Sequence, residues 1–375
     1  MDRRSFLIGA GASAGLATLP AGAAALQPAR SRAGRAIRID GLGALDDFGA
    51  ALEGKYVPDP RVVQAIREGR LDVVSMTLGN VGNGPDRFAE AVTAVAATDR
   101  IIAEHSRLFA KIESVADIRR VRAGGKLGII YNFQDTTMFE ADASRVDTFA
   151  SLGVRVMQLT YNKRNLAGDG ALERANAGLS DFGRQLIARI NGANVLLDLS
   201  HGGQRTIAEA IEESKAPPAI THSGCRALVD FPRNTPDAEM RALAQKGGVF
   251  GVYLMPFLRP KGQAVREDLL RHLDHAVNVC GEDHVAIGTD GFLAGLTIDD
   301  AARRQQREFY EKRAKLGIAA PGEAPDVFNI VEGYNDAARY DRIAEDLRRR
   351  GWTQARIDKV LGENWARLMG EVWKG

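Results

Sequence analysis

A (β/α)8 TIM barrel is the fold this sequence predicts, on three observations. Eight apolar runs of strand length alternate with helical patterns between residues 37 and 291, close to the roughly 250 residues such a barrel needs. No Gly-x-Gly-x-x-Gly follows the first run, so the usual mark of an open doubly wound sheet is missing. The polar residues suited to chemistry gather at the carboxyl ends of the runs, where barrels carry their active sites.

The elements follow in order. Residues 37–41 form the first short run, ending in Asp40-Gly41, and 62–69 read as a short helix. Residues 71–78 (Leu-Asp-Val-Val-Ser-Met-Thr-Leu) are the second strand, and the amphipathic stretch 86–111 reads as one long helix. Strands are expected at 126–133 and 155–161, with a helix at 144–152 between them. Ser180 is a good N-cap for a helix reaching residue 190. Residues 194–201 and 218–224 are the fifth and sixth strands, separated by a helix over 205–214. Helices at 237–246 and 266–280 alternate with strands at 248–255 and 284–291. Further helices are expected at 298–316, 340–350 and 353–372.

Composition bounds the function. The chain has 375 residues, 45% hydrophobic and 26% charged, which is ordinary for a globular protein. Its formal net charge of +2 favours neither nucleic acid nor a membrane surface as partner. Its two cysteines make no Cys-x-x-Cys motif, which argues against structural zinc on thiolates. Residues 1–30 read as a signal peptide and tether: Asp2-Arg3-Arg4-Ser5-Phe6-Leu7-Ile8 resembles the twin-arginine export motif, and Ala21-Gly22-Ala23 offers a cleavage site. The expected partner is therefore the twin-arginine export machinery, the expected location periplasmic or secreted, and residues 36–375 are the barrel domain.

Of the six histidines, only His201 and His222 end strands, one βαβ unit apart. Imidazoles so placed are suited to hold one metal ion. Asp290, at the end of the eighth strand, is either a third ligand or the base that takes a proton from water. Gln134 lies just past the third strand and could turn its amide oxygen toward a metal. Arg233 follows the sixth strand closely and is either a carboxylate clamp or a solvated loop residue. Tyr161 opens a polar, glycine-rich loop running to Gly170, a functional loop over the barrel mouth or a plain surface loop. Cys225, three residues after His222, is a soft ligand or a small buried residue.

Several short motifs recur in one order along the chain. They are Leu159-Thr160, Gly178-Leu179-Ser180 with Phe182-Gly183, Asp198-Leu199-Ser200-His201, Thr221-His222-Ser223, Pro232-Arg233-Asn234, Gly288-Thr289-Asp290-Gly291 and Gly362-x-Asn364-x-x-Arg367. Together they make the chain resemble the membrane dipeptidase (renal dipeptidase) family, peptidase family M19, from Asp40 to Trp373. The resemblance implies a barrel of the metal-dependent hydrolase type, with two zinc ions bridged by a glutamate, cleaving dipeptides. His201 and His222 match the histidines of the second zinc, Arg233 the arginine that binds the substrate carboxylate, and Asp290 the aspartate near the metal. The His-x-Asp pair of the first zinc falls on Leu42 and Ala44, the bridging glutamate on Gln134, and a substrate-contacting histidine on Tyr161. Asp46 and Asp47 are near enough in sequence to substitute, with no spacing argument that they do. By analogy with the family a homodimer is expected.

Three functions follow from this reading. The first is an exported metallohydrolase with one zinc rather than two, cleaving a small peptide or amide whose free carboxylate is held by Arg233. The second is a non-hydrolytic binder of a small ligand at the barrel mouth. The third is a tailoring enzyme for a secreted peptide product, working by acid–base chemistry without metal.

Overall fold

Among the described residues, nine strands form one parallel sheet that curls back on itself: β1 (Ile39–Gly43), β2 (Val73–Thr77), β3 (Phe109–Ile112), β4 (Leu127–Phe133), β5 (Val154–Gln158), β6 (Leu196–Asp198), β7 (Ala219–Ser223), β8 (Val249–Val252) and β9 (Val285–Ile287). This computed structural model describes residues 34–45, 55–315 and 319–374. The expected signal segment, Asp46 and Asp47 lie outside the described residues. Eight strands follow one another around the sheet in the order β1-β2-β4-β5-β6-β7-β8-β9. Asp290 N donates to Leu42 O at 2.8 Å and Ala44 N to Gly291 O at 3.0 Å, which brings the last strand back to the first. All eight predicted runs become barrel strands, because both faces of a parallel strand are buried and the sequence there stays apolar.

The helices are α1 (Pro60–Arg67), α2 (Arg87–Glu104), α3 (Val115–Gly124), α4 (Arg145–Ser151), α5 (Asp181–Gly192), α6 (Gln204–Glu213), α7 (Asp237–Gln245), α8 (Arg266–Cys280), α9 (Asp300–Lys315), α10 (Arg339–Arg349), α11 (Gln354–Asp358) and α12 (Asn364–Val372). Two expectations are corrected. The helix expected over 86–111 stops at Glu104, and its last residues become β3. β3 takes the first half of one edge of β4, from Phe109 beside Leu127 to Ile112 beside Ile130, before β5 takes over at Tyr131. Lys111 Nζ fixes it there, bound to Asp99 Oδ1 at 3.0 Å and Leu152 O at 2.8 Å. The helix expected over 353–372 is broken by a π turn at Lys359–Glu363. Helix α3, which the sequence reading passed over, starts with a Ser114–Asp117 capping box. Ser180 caps α5 as expected, its Oγ accepting from Gly183 N at 3.0 Å.

The barrel interior changes character with height. Its lower layer draws one residue from each of the eight strands (Ile39, Val73, Ile130, Val156, Leu196, Ala219, Val249 and Ala286), packed with Trp365. Two residues further along the strands the inward positions are polar and buried: Ser75, Asn132, Gln158, Asp198 and Thr221. Here β7 leans toward the axis. A Cβ on Gly251 or on Gly288 would lie 2.0 Å from Thr221 O, so glycine on β8 and just past the end of β9 lets β7 come in. That inward step carries His222 into the barrel's centre.

Asp40 gives the fold a pH dependence. Burial pushes its carboxyl up to about 6, against hydrogen bonds from Thr289 and the nearby Arg339 charge. Thr289 N and Oγ1 both donate to it, each at 2.7 Å. The folded state thus holds the Asp40 proton more tightly than the unfolded chain does. The associated stability is fully present below about pH 4 and is lost as pH rises through about 6, roughly 3 kcal/mol in all. Urea unfolding between pH 4 and 7 should show wild type losing about 3 kcal/mol relative to Asp40→Asn as pH rises. A constant gap between the two would refute the assignment.

Candidate functional site

The two strand-end histidines meet. Their ring centroids are 5.0 Å apart, at 61°. His222 is fully buried and His201 nearly so. Burial and the Arg233 charge hold both imidazoles well below their usual pKa, with His222 also disfavouring a charge on His201. Both are therefore neutral, the form that ligates a metal or accepts a proton.

Hydrogen bonds fix which nitrogen of each ring carries the proton. Thr221 Oγ1 donates to Asp198 Oδ2 at 2.6 Å and so accepts from His222 Nδ1 at 2.9 Å. Asn162 Oδ1, which can only accept, lies 2.7 Å from His201 Nδ1. In both rings the proton sits on Nδ1 and the Nε2 lone pair is left to the site. His222 Nε2 meets the Gln134 amide nitrogen at 3.2 Å. His201 Nε2 is buried and has no hydrogen-bond partner. A buried, unpartnered acceptor is costly in a folded protein and marks a place where something binds.

The supports run deep into the barrel. Asp198 accepts from Ser200 N, Ser200 Oγ, Thr221 N and Thr221 Oγ1. Gln158 Nε2 donates to Gln134 O at 2.6 Å and Thr160 O at 2.7 Å, which holds the backbone of Gln134. Tyr161 stacks on His201 with centroids 4.2 Å apart. His201 (φ 62°) and Asp290 (φ 52°) are among the few non-glycine residues in the left-handed region, and each lies three residues past the end of a barrel strand. Such strain costs of order 1–3 kcal/mol and clusters at functional sites.

Arg233 is buried and donates to His222 O at 3.3 Å. Its guanidinium lies 5.7 Å from the centre of the Tyr253 ring. Among the described residues no carboxylate pairs with it. A buried cation so held is ready for an anionic ligand.

The structure thus brings together His201, His222, Gln134, Tyr161 and Arg233. It does not bring in a third strong ligand: among the described residues no three His, Cys, Asp or Glu side chains are placed to hold one ion. Asp290 closes β9 onto β1 through its backbone and does not join the histidines in such a group. Cys225 is buried, its thiol pushed well up by burial, and its Sγ meets His272 O at 3.4 Å. It is a core residue, not a ligand. Leu42, 1% exposed, and Ala44 bring only hydrocarbon to the end of β1. Asn162 and Asp198, which orient the two rings, carried no role in the sequence reading. An aspartate in the middle of an apolar strand was the signal for Asp198. Asn162 had none beyond its polar loop.

A (β/α)8 barrel with a neutral histidine pair and a buried arginine at its carboxyl end is the architecture of a barrel hydrolase. Residues 62–300 match the membrane dipeptidase family, peptidase family M19, and the chain belongs to that family. A solved amidohydrolase from Pseudomonas aeruginosa is 32% identical, with 90% of this chain and 97% of that one covered and a TM-score of 0.75. An uncharacterized protein from the pqqA 5' region of Klebsiella pneumoniae is 29% identical over 272 residues, 70% of this chain and 88% of that protein. The dipeptidase tcpJ of Claviceps purpurea is 26% identical over 302 residues, 77% of this chain but 63% of its own length.

Proposed function

We propose that this chain is an exported dipeptidase-like hydrolase of small peptides or amides bearing a free carboxylate, and that it works with one zinc ion rather than two. The observation that carries the reading is the His201 Nε2 atom, buried without a partner beside His222. Two imidazole lone pairs, with the Gln134 amide 3.2 Å from one of them, fit a single ion. The family's pair of ions does not fit, because Leu42, Ala44 and Gln134 supply no charge where the first ion and the bridge would need it.

A zinc ion held by His201, His222 and the Gln134 oxygen, with that amide turned from the orientation in which its nitrogen meets His222 Nε2, would supply Lewis-acid polarisation. The chain's own residues do the rest. Arg233 binds the carboxylate and fixes which amide lies over the histidines. Tyr161 walls one side of His201 and so borders the ligand. Asp290, just past the last barrel strand, is the acid we assign to proton transfer. The resemblance of residues 2–8 to a twin-arginine motif supports a location in the periplasm or outside the cell.

Metal analysis of zinc-loaded protein tests the reading. One zinc per chain is expected, lost in His201→Ala, with turnover of at least one member of an L,L and L,D dipeptide panel. No zinc under replete conditions would sink the metal assignment. Zinc without turnover would favour the non-hydrolytic alternative.

A further inference from the structure

Two consecutive loop residues grip His201 from outside the barrel. Tyr161 covers one face of the ring. Asn162 Oδ1 accepts a hydrogen bond from His201 Nδ1 at 2.7 Å. The same loop holds the backbone of His201, with Ala171 N donating to His201 O at 2.7 Å. The loop is itself tied down: Leu172 N donates to Asn162 O at 2.8 Å, and Asn165 Nδ2 donates to Asp135 Oδ1 at 2.7 Å and Leu159 O at 2.9 Å. His222 has a different anchor, the Asp198–Thr221 pair inside the barrel.

We propose that Asn162 is the positioning residue that sets the tautomer and aim of His201, with Tyr161 as the backing wall. The inference rests on the single-ion reading for its purpose, though not for its geometry. An amide oxygen accepts and never donates, so it keeps the imidazole proton on Nδ1 and leaves the Nε2 lone pair facing His222. His201 needs this help. Its backbone sits in the left-handed region, and Nε2 has no partner of its own to hold the ring. Remove the Asn162 side chain and nothing keeps the proton on Nδ1. The ring can then carry its proton on Nε2 and present a donor where a metal needs a lone pair. Outer partners of this kind typically change metal affinity 10- to 100-fold.

Long-range proton–nitrogen spectra of the full-length protein, labelled on histidine nitrogen and stripped of metal, read the tautomers directly. Wild type should show His201 and His222 both protonated on Nδ1. In Asn162→Ala, His201 should move to the Nε2-protonated form or a mixture while His222 stays put as the internal control. Asn162→Asp should restore Nδ1 protonation. Zinc titration against a chromophoric chelator should show 10- to 100-fold weaker binding in Asn162→Ala and near wild-type binding in Asn162→Asp. Circular dichroism confirms that each variant is folded. An unchanged His201 tautomer in folded Asn162→Ala overturns the proposal. Wild type that binds no zinc overturns the single-ion reading instead, and the tautomer measurement still judges Asn162.

Discussion

Arg233→Met should weaken binding of a carboxylate-bearing ligand by a factor of about 100 to 1,000 and, at the same time, leave the ligand-free protein more stable. The two signs come from one fact. Arg233 is 6% exposed and its hydrogen bond goes to a backbone carbonyl, His222 O at 3.3 Å. The Tyr253 ring at 5.7 Å offsets part of the desolvation of the charge, but no carboxylate of the described residues does. A ligand carboxylate completes the pair. Truncating one member of such a buried pair costs about 2–5 kcal/mol of binding. Without ligand, the cation is a burden that methionine, of similar length, lacks. Replacing a poorly paired buried charge by a hydrophobe is worth about 1–4 kcal/mol. Calorimetric titration with a peptide and with its C-terminal amide separates charge from shape. Arg233→Met should lose the preference for the free acid while binding the amide as wild type does. If the variant still discriminates acid from amide, Arg233 is not the carboxylate partner.

The contrast between what the sequence disclosed and what it hid follows the range of the interactions involved. The barrel strands announced themselves because parallel strands buried on both faces stay apolar along their whole length, as at Leu127–Phe133. β3 did not, because Phe109–Ile112 is short and continues the helical spacing of the preceding stretch. It becomes a strand through the free half-edge of β4 and the reach of Lys111 to Asp99 and Leu152, both tertiary facts. The histidine pair was legible because strand ends of a barrel share one face. The inward lean of β7 was not, since it depends on Gly251 in β8 and Gly288 just past β9. Asn162 and His201 are 39 residues apart, and one asparagine among Asn162, Lys163, Arg164 and Asn165 has no mark that singles it out. The same holds for the charge of the site. The family resemblance sets Leu42, Ala44 and Gln134 against the family's ligand positions, and among the described residues no three His, Cys, Asp or Glu side chains gather to hold an ion.

Asp198→Ala should be the most damaging single change to the barrel core, about 3–5 kcal/mol, although residue 198 touches no ligand. Its carboxylate is fully buried and takes all its hydrogen bonds from two neighbours: Ser200 N at 3.0 Å, Ser200 Oγ at 2.7 Å, Thr221 N at 3.0 Å and Thr221 Oγ1 at 2.6 Å. Alanine leaves two amides and two hydroxyls without their acceptor in a place water does not reach. Each unmet group costs about 1–3 kcal/mol. The hydroxyls recover part of this, since Ser200 Oγ and Thr221 Oγ1 are already 3.2 Å apart and can bond to each other. The amides cannot turn. The urea midpoint should fall with little change in slope, as for a loss of native contacts alone. A second consequence lies two bonds away. Once freed from Asp198, the Thr221 hydroxyl can turn its hydrogen toward His222 Nδ1, and the imidazole proton then belongs on Nε2. Asp198→Ala should therefore also switch the His222 tautomer while that of His201, held by Asn162, remains as it is. Stability loss without the switch would mean that Asp198 only fills the core; both together identify it as the inner counterpart of the outer Asn162 anchor.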